Sequence, residues 1–264
     1  MMSSAPPLAC LSLLLLSSST QAAHSRRRPT TARSSSRTNY DRSVTTFDPS
    51  GRLLQVEYAQ AAAGRGESLI AAVHDDTVYV VTKSRSKKQQ QQLHWIDEEL
   101  WMVSCGLASD GMFLADILRD TAAEYRPSYG EPIRTEEAAK AAGSFQHRLT
   151  LLPGYRPLGV VAVLIGMDDS DPILYRCGPG GVVQNCRFCT AGQHADTLLH
   201  ALSRREWDAS TVVETLVEAM REVCGRKELL DVLVFRSGET IRCYEKIGSD
   251  RQSKMNLKAL QERN

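Results

Sequence analysis

Val160–Met167 is a near-continuous apolar run. It lacks the alternation of a strand with one wet face, so it reads as a buried strand. Shorter runs with turn signals surround it. Ser68–Val73 and Val78–Thr82 flank His74-Asp-Asp76, and Leu93–Ile96 and Trp101–Cys105 flank Asp97-Glu-Glu99. Helical periodicity follows in Ser109–Tyr125, with Phe113, Leu114, Ile117 and Leu118 on one face. It continues in Thr135–Thr150, which opens on Thr135-Glu-Glu-Ala, an offset capping box. Pro127 and Pro132 are expected to bracket the connection between these helices. Beyond the buried strand, Ile173–Cys177 and Val182–Cys186 flank the hairpin turn Gly178-Pro-Gly-Gly181. Helices return at Gln193–Leu202 and Ser210–Cys224, the second capped by Ser210 or Asp208. Strands Asp231–Arg236 and Ile241–Tyr244 and a polar helix, Arg251–Arg263, complete the pattern. Strands, two helices, strands, two helices, strands is the order of an α+β sandwich of sheets with helices on both outer faces.

The length of 264 residues suits one large domain or two small ones, and an apolar share of 42% is ordinary for a full core. The formal net charge is +1, but the first 40 residues carry five arginines and no acid, which leaves −4 on the remainder (+1 minus +5). A body of that sign argues against nucleic-acid binding. Leu8–Leu16 followed by Ser17–Ala23 resembles a secretory signal peptide and is too short for a membrane span. His24–Pro29 and Thr31–Arg37, rich in Arg and Ser, resemble an organelle transit peptide. Residues 1–38 are therefore expected to be a leader outside the fold, either a route to a plastid-associated compartment or a tail from a misassigned start.

Cys10 belongs to that leader. Cys105, Cys177, Cys224 and Cys243 fall singly in apolar segments and read as small core hydrophobes. Cys186-Arg-Phe-Cys189 has the spacing of a redox or zinc pair. The motif is expected to lie in a strand, where residues three apart point to opposite faces. No second pair completes a zinc site and no helix opens at the motif, so the structural reading is expected.

The run from Tyr40 to Ala59 is the most specific signal in the chain. Asp48-Pro49-Ser50-Gly51 is turn chemistry, with Asp48 or Ser50 expected to cap the following helix and Pro49 to sit in its first turn. From Arg52, the apolar positions Leu53, Val56, Ala59 and Ala63 recur at helical steps, with Arg52, Gln55 and Gln60 expected on the opposite, polar face. Gly64-Arg-Gly66 offers a left-handed C-cap. A helix of about three turns is marginal alone in water, so it must pack on something.

This run resembles the N-terminal signature of α-type subunits of the 20S proteasome. Two later motifs add to the resemblance: Gly106-Leu-Ala-Ser-Asp110 at a helix start and Tyr155-Arg156-Pro157-Leu158-Gly159-Val160 at a strand entry. The likeness extends from about Tyr40 to Tyr244. It implies the four-layer αββα sandwich of N-terminal-nucleophile hydrolases. Residues 39–66 would form a gating segment and helix, 67–246 the sandwich, and 247–264 a polar C-terminal helix. By residue-for-residue match, Tyr40, Asp41, Pro49 and Tyr58 would hold the open gate, with Arg42 in the gating tripeptide. Arg52, Leu53, Gln55, Val56 and Glu57 would lie on a subunit-interface helix.

The resemblance also implies a missing catalyst. Proteasome catalysis uses an N-terminal threonine whose amine acts as base, and Glu67 aligns with that position. Ser68 is one residue late, and the lysine near the nucleophile is not evident in Gln91-Gln92-Leu93-His94. No G-x-S-x-G, H-E-x-x-H or P-loop occurs. His194 and His200 do not share a helical face, a strand follows Gly178–Gly181, and Arg85-Ser-Lys-Lys88 reads as a solvated loop. No catalytic residue, cofactor or metal is assigned.

The expected role is that of a non-catalytic member of the outer ring, contributing to ring assembly, pore gating and activator docking in ubiquitin-dependent degradation. Its partners would be other α-type subunits in a heptameric ring, β-type subunits and regulatory complexes, with no nucleic acid or membrane, in cytoplasm and nucleus. The alternative is a β-type or other N-terminal-nucleophile hydrolase matured by self-cleavage. Two departures mark a divergent member. Gln91 and Gln92 stand where many α-type subunits carry an activator-binding lysine, and Ser109-Asp110-Gly-Met112 lacks the usual Ala-Arg continuation.

Overall fold

Chain order runs α1 (Leu54–Ala63), β1 (Leu69–His74), β2 (Thr77–Ser84), β3 (Leu93–Asp97), β4 (Leu100–Gly106), α2 (Ala108–Tyr129), α3 (Thr135–Leu151), β5 (Val160–Asp168), β6 (Asp171–Gly178), β7 (Val182–Asn185), β8 (Phe188–Ala191), α4 (Ala195–Ser203), α5 (Val212–Cys224), β9 (Leu229–Arg236) and β10 (Glu239–Glu245). The computed structural model describes residues 40–84, 92–205, 211–226 and 228–245. The leader, Arg85–Lys88, Gln91, Asp208, Ser210 and the C-terminal helix expected from sequence lie outside these residues, as does the side chain of Cys243.

The strands pair antiparallel into two five-stranded sheets, ordered β10-β9-β2-β1-β8 and β3-β4-β5-β6-β7. β5 is the apolar run, and its residues alternate between two layers. Val160, Ala162 and Leu164 pack with Leu114 and Leu118 of α2 and Ala139 and Ala142 of α3. Val161, Val163, Ile165 and Met167 face the other sheet, meeting Val78, Val80, Leu233 and Phe235. The outer face of the first sheet, through Ile70, Ala72, Val81, Val232 and Val234, receives Leu198 and Leu202 of α4 and Leu216, Val217 and Met220 of α5. The result is the αββα sandwich, with apolar cores between its successive layers.

Three local expectations fail for identifiable reasons. Pro127 does not end α2 but sits inside it. An interior proline costs a helix about 3 kcal/mol, so other contacts must hold the last turn. Arg126 pairs with Asp97 at 2.7 Å and Glu98 at 3.1 Å. Tyr125 and Tyr129 stack at 4.2 Å, and the Ser128 hydroxyl donates to the Glu124 carbonyl at 3.0 Å. The helix stops at Gly130, in the left-handed region at φ 77°.

The capping box at Thr135 does not form. Arg134 is the N-cap residue, and the Thr135 hydroxyl and amide both donate to the Asp168 carboxylate, the hydroxyl at 2.6 Å. A strand-end carboxylate thus does the capping across the layer. Gly64 is right-handed at φ −65°. Instead of a left-handed cap, amides of Arg65 and Gly66 bond three residues back, to Ala62 and Ala63, tightening the final turn. α5 starts after Thr211, and the caps expected at Asp208 or Ser210 lie outside the described residues.

Candidate functional site at the end of the second sheet

α1 packs on β5 and β4, with Ala59 and Ala63 buried and Leu53 and Val56 half-buried. The turn before it is built on one side chain. Asp48 Oδ1 accepts from the Ser50 amide at 2.9 Å, the Ser50 hydroxyl at 2.7 Å and the Arg52 amide at 2.9 Å. These bonds, the Arg52 amide first, hold the Asp48 carboxyl below the usual carboxylate range. Gly51 closes the turn at φ 81°. With Asp48 occupied, neither it nor Ser50 caps α1. Leu53 is the N-cap residue and makes no side-chain bond, and Pro49 belongs to the turn rather than to the helix.

The residues expected to gate are distributed around this helix. Tyr40 and Asp41 are half-buried, Arg42 and Pro49 exposed, and Tyr58 is 50% exposed. Arg52 grips Glu57 through Nε and Nη2. Gln55 does not share the wet face of Gln60. It stands one turn before Ala59 on the covered side, half-buried, and its Nε2 donates to the Asp41 carbonyl. Among the described residues no hydrogen bond joins Tyr40, Pro49 and Tyr58 to one another. Val44, which periodicity did not single out, anchors the segment at 3% exposure.

Beyond α1 the chain enters the first sheet through a clamp. The Gly66 carbonyl accepts from the Gln193 amide at 3.0 Å, the Glu67 carbonyl from Cys105 Sγ at 3.1 Å, and the Ser68 carbonyl from the Lys83 amide at 2.9 Å. Cys105 lies between two glycines. A Cβ at Gly66 would stand 2.8 Å from its sulfur, and one at Gly192 2.7 Å from it. Burial pushes this thiol up to about 12, so it acts as a neutral donor. Ser68 is buried, its hydroxyl donating to the Gln193 carbonyl at 2.6 Å and accepting from Cys224 Sγ at 3.3 Å. Reading Cys105 only as a core hydrophobe missed this clamp. The nearby glycines were the available signal.

The two motifs placed separately by sequence meet here. Arg156 binds Asp110 with both ends of its guanidinium, and Asp110 Oδ2 also accepts the Gly159 amide at 2.9 Å. Burial raises the Asp110 carboxyl, but these bonds outweigh it and leave the carboxyl below its ordinary range. The Leu107 amide donates to the Gly159 carbonyl at 3.0 Å, sealing the two motifs together.

Cys186 and Cys189 require a correction. β7 ends at Asn185 and β8 begins at Phe188 in the other sheet. The motif is therefore a crossover rather than one strand, and both cysteines pack in the inter-sheet layer. Cys224 is half-buried rather than fully in the core. Among the described residues no group of three or more His, Cys, Asp or Glu side chains is arranged to hold a metal ion.

Two helix-covered antiparallel sheets, with a signature helix over the end of one, define the N-terminal-nucleophile type of sandwich. Comparison with known proteins gives the family. The proteasome subunit family matches residues 63–231, and the N-terminal signature of A-type proteasome subunits matches residues 40–62. The alpha type-3 proteasome subunit of Oryza sativa subsp. japonica is 30% identical over 198 residues, 73% of this chain and 80% of its own. The alpha proteasome subunit of Saccharolobus islandicus (strain L.S.2.15 / Lassen #1) is 30% identical over 188 residues, 69% of this chain and 78% of its own. Its counterpart from Saccharolobus solfataricus matches to the same extent. The chain belongs to the proteasome subunit family, as an α-type member. Members of this family assemble with one another in the machinery of protein degradation.

Proposed function

We propose that this chain is a non-catalytic member of the outer ring of a 20S proteasome, where it helps build the ring and control entry to the pore. The clamp at residues 66–68 carries the reading. At the position where a working subunit presents an N-terminal threonine, Glu67 has its carbonyl held by Cys105, and Ser68 is buried with its hydroxyl bonded to Gln193. A hydroxyl so placed meets no substrate, and the Glu67 side chain carries no hydroxyl to attack a peptide carbonyl.

The gating role rests on the N-terminal segment. Asp48, Gln55 and Val44 fix the path of residues 41–52, leaving Tyr40, Arg42, Pro49 and Tyr58 to make contacts with neighbouring subunits. Entry is controlled when such tails exchange one ordered arrangement for another on activator binding. Arg52 and Leu53 at the entry to α1, with Val56 and Glu57 in its first turn, form the surface offered to those neighbours, which are other α-type and β-type subunits, while Gln55 holds the Asp41 carbonyl on the covered side. The Gln91-Gln92 stretch lacks the cation that would make a charge-assisted bond to an activator carboxylate, so docking at this chain's own pocket is weak. Cytoplasm and nucleus is the proposed location, and a reporter fused to residues 1–40 tests it against a plastid-associated compartment.

The test of function is purification of the chain followed by N-terminal sequencing and assay on fluorogenic peptides. No hydrolysis and an N-terminus upstream of Tyr40 are expected. A mature terminus at Ser68 with peptide hydrolysis would overturn the reading in favour of a self-processing hydrolase.

A further inference from the structure

Cys186 directly follows β7 and Cys189 is the second residue of β8, the edge strands of opposite sheets. Only the bend at Arg187 and Phe188 lie between them, and both side chains pack into the layer between the sheets. They differ sharply in access, Cys186 being half-buried and Cys189 buried. We propose that Cys186 and Cys189 form a reversible dithiol–disulfide pair, oxidised by a small-molecule disulfide of the glutathione type, that covalently joins the edges of the two sheets.

The chemistry follows from the asymmetry. The neighbouring Cys189 thiol favours the Cys186 thiolate, as does nearby Arg176, and together these outweigh burial and pull that thiol below its usual range. The same pairing and full burial hold Cys189 protonated well above it. The accessible thiolate is the nucleophile in exchange. Cys186 Sγ attacks one sulfur of the small disulfide, forming a mixed disulfide and expelling a thiolate. That thiolate takes the Cys189 proton, and Cys189 Sγ attacks Cys186 Sγ, releasing the second small thiol. Two protein thiols are oxidised and one small disulfide is reduced to two thiols. The enclosed loop is too short for a large chain-entropy effect on the unfolded state. What changes is the freedom of one sheet edge to move against the other.

The test treats the folded full-length chain with excess glutathione disulfide, quenches with acid, alkylates free thiols and digests with trypsin. Cleavage after Arg187 separates the two cysteines, so the disulfide keeps two peptides linked until reductant is added. The expected product is a Cys186–Cys189 link with loss of two hydrogens, assigned by fragmentation because Cys177 shares the peptide that ends at Arg187. Cys189→Ser should stop at a mixed disulfide on Cys186, and Cys186→Ser should leave Cys189 reduced. The proposal is overturned if the wild-type pair stays reduced, stops at the mixed disulfide, or links Cys189 to Cys177. The wild-type link decides the matter if a variant does not fold.

Discussion

Arg156 Nη1 and Nη2 meet Asp110 Oδ2 and Oδ1 at 2.7 Å each, joining the start of α2 to the strand entry that precedes β5. Asp110 is 6% exposed while Arg156 is 59% exposed, so the pair is a buried acceptor reached by a cation from the surface. Removing Arg156 strands a desolvated carboxylate, a kind of loss worth about 1–3 kcal/mol. Arg156→Ala should lower the urea midpoint by that order. Asp110→Asn, which retains an acceptor for the Gly159 amide, should lower it less. Acid adds a second readout. Because the folded carboxyl titrates below its unfolded value near 3.8, the unfolded chain binds the proton more readily. This stability is present above that value and lost as pH falls through the folded one. Asp110→Asn should flatten the acid limb, and an unchanged limb would sink the assignment.

His94 gives a separate pH dependence. It lies under α2 with Nε2 3.1 Å from the Ser104 hydroxyl, and a Cβ at Gly111 would stand 3.7 Å from the same nitrogen. Burial first, then the Arg119 cation, pushes its pKa below 6.5 against a weaker pull from Asp116. A depressed histidine is protonated more easily in the unfolded chain, so its contribution is present above 6.5 and lost as pH falls below it. Between about pH 8 and about pH 5 the melting temperature should fall further in wild type than in His94→Gln. Equal falls in the two proteins would show that His94 is not the source.

Pro127 makes a prediction of opposite sign. An alanine there would supply the amide that the last turn of α2 lacks, with backbone already helical and the Arg126 and Tyr125–Tyr129 contacts in place. The helical gain is offset in part by the greater freedom of the unfolded alanine chain. Pro127→Ala should therefore stabilise the protein by about 1 kcal/mol, less than the ~3 kcal/mol gap between the two residues in a helix interior. The readout is a higher denaturant midpoint. Destabilisation would mean that the ring of Pro127 packs in a way the helix requires.

The layers were legible in the sequence because apolar periodicity reports which face is covered. β5 declared itself through uniform burial, and β1 to β4 through short runs about acidic turns. What was hidden depended on partners distant in the chain. Thr135 reads as a local cap until Asp168, 33 residues on, takes its hydroxyl. Pro127 reads as a stop until Asp97 and Glu98 hold Arg126 beyond β3. Gln55 reads as solvated until the Asp41 carbonyl gives its amide a partner against the covered side of α1. Cys186 and Cys189 read as opposite-facing only if they share a strand, and no local signal marks the change of sheet between them. The motifs around Asp110 and Arg156 were each visible, while their pairing was a fact of the fold.

Gln55 is the most direct handle on the proposed gate. Its side chain donates to the Asp41 carbonyl across 14 residues, the described hydrogen bond that ties the Tyr40–Arg42 stretch to α1. Gln55→Ala removes that donor and leaves a partly buried carbonyl short of a partner, a loss of about 0.5–1.5 kcal/mol for an ordinary hydrogen bond. Alanine's better helix propensity returns a fraction of it, so α1 should persist and the melting temperature fall only slightly. The larger effect should be local. Amide hydrogen exchange at residues 41–47 is expected to accelerate while that of Ala59–Ala63 does not. Incorporated into a complete particle, the same variant should lower activator-stimulated hydrolysis of small peptides, because Asp41 is then held less firmly in the cluster assigned to the open gate. Faster exchange with unaltered stimulated hydrolysis would confine Gln55 to local order and remove it from the gate.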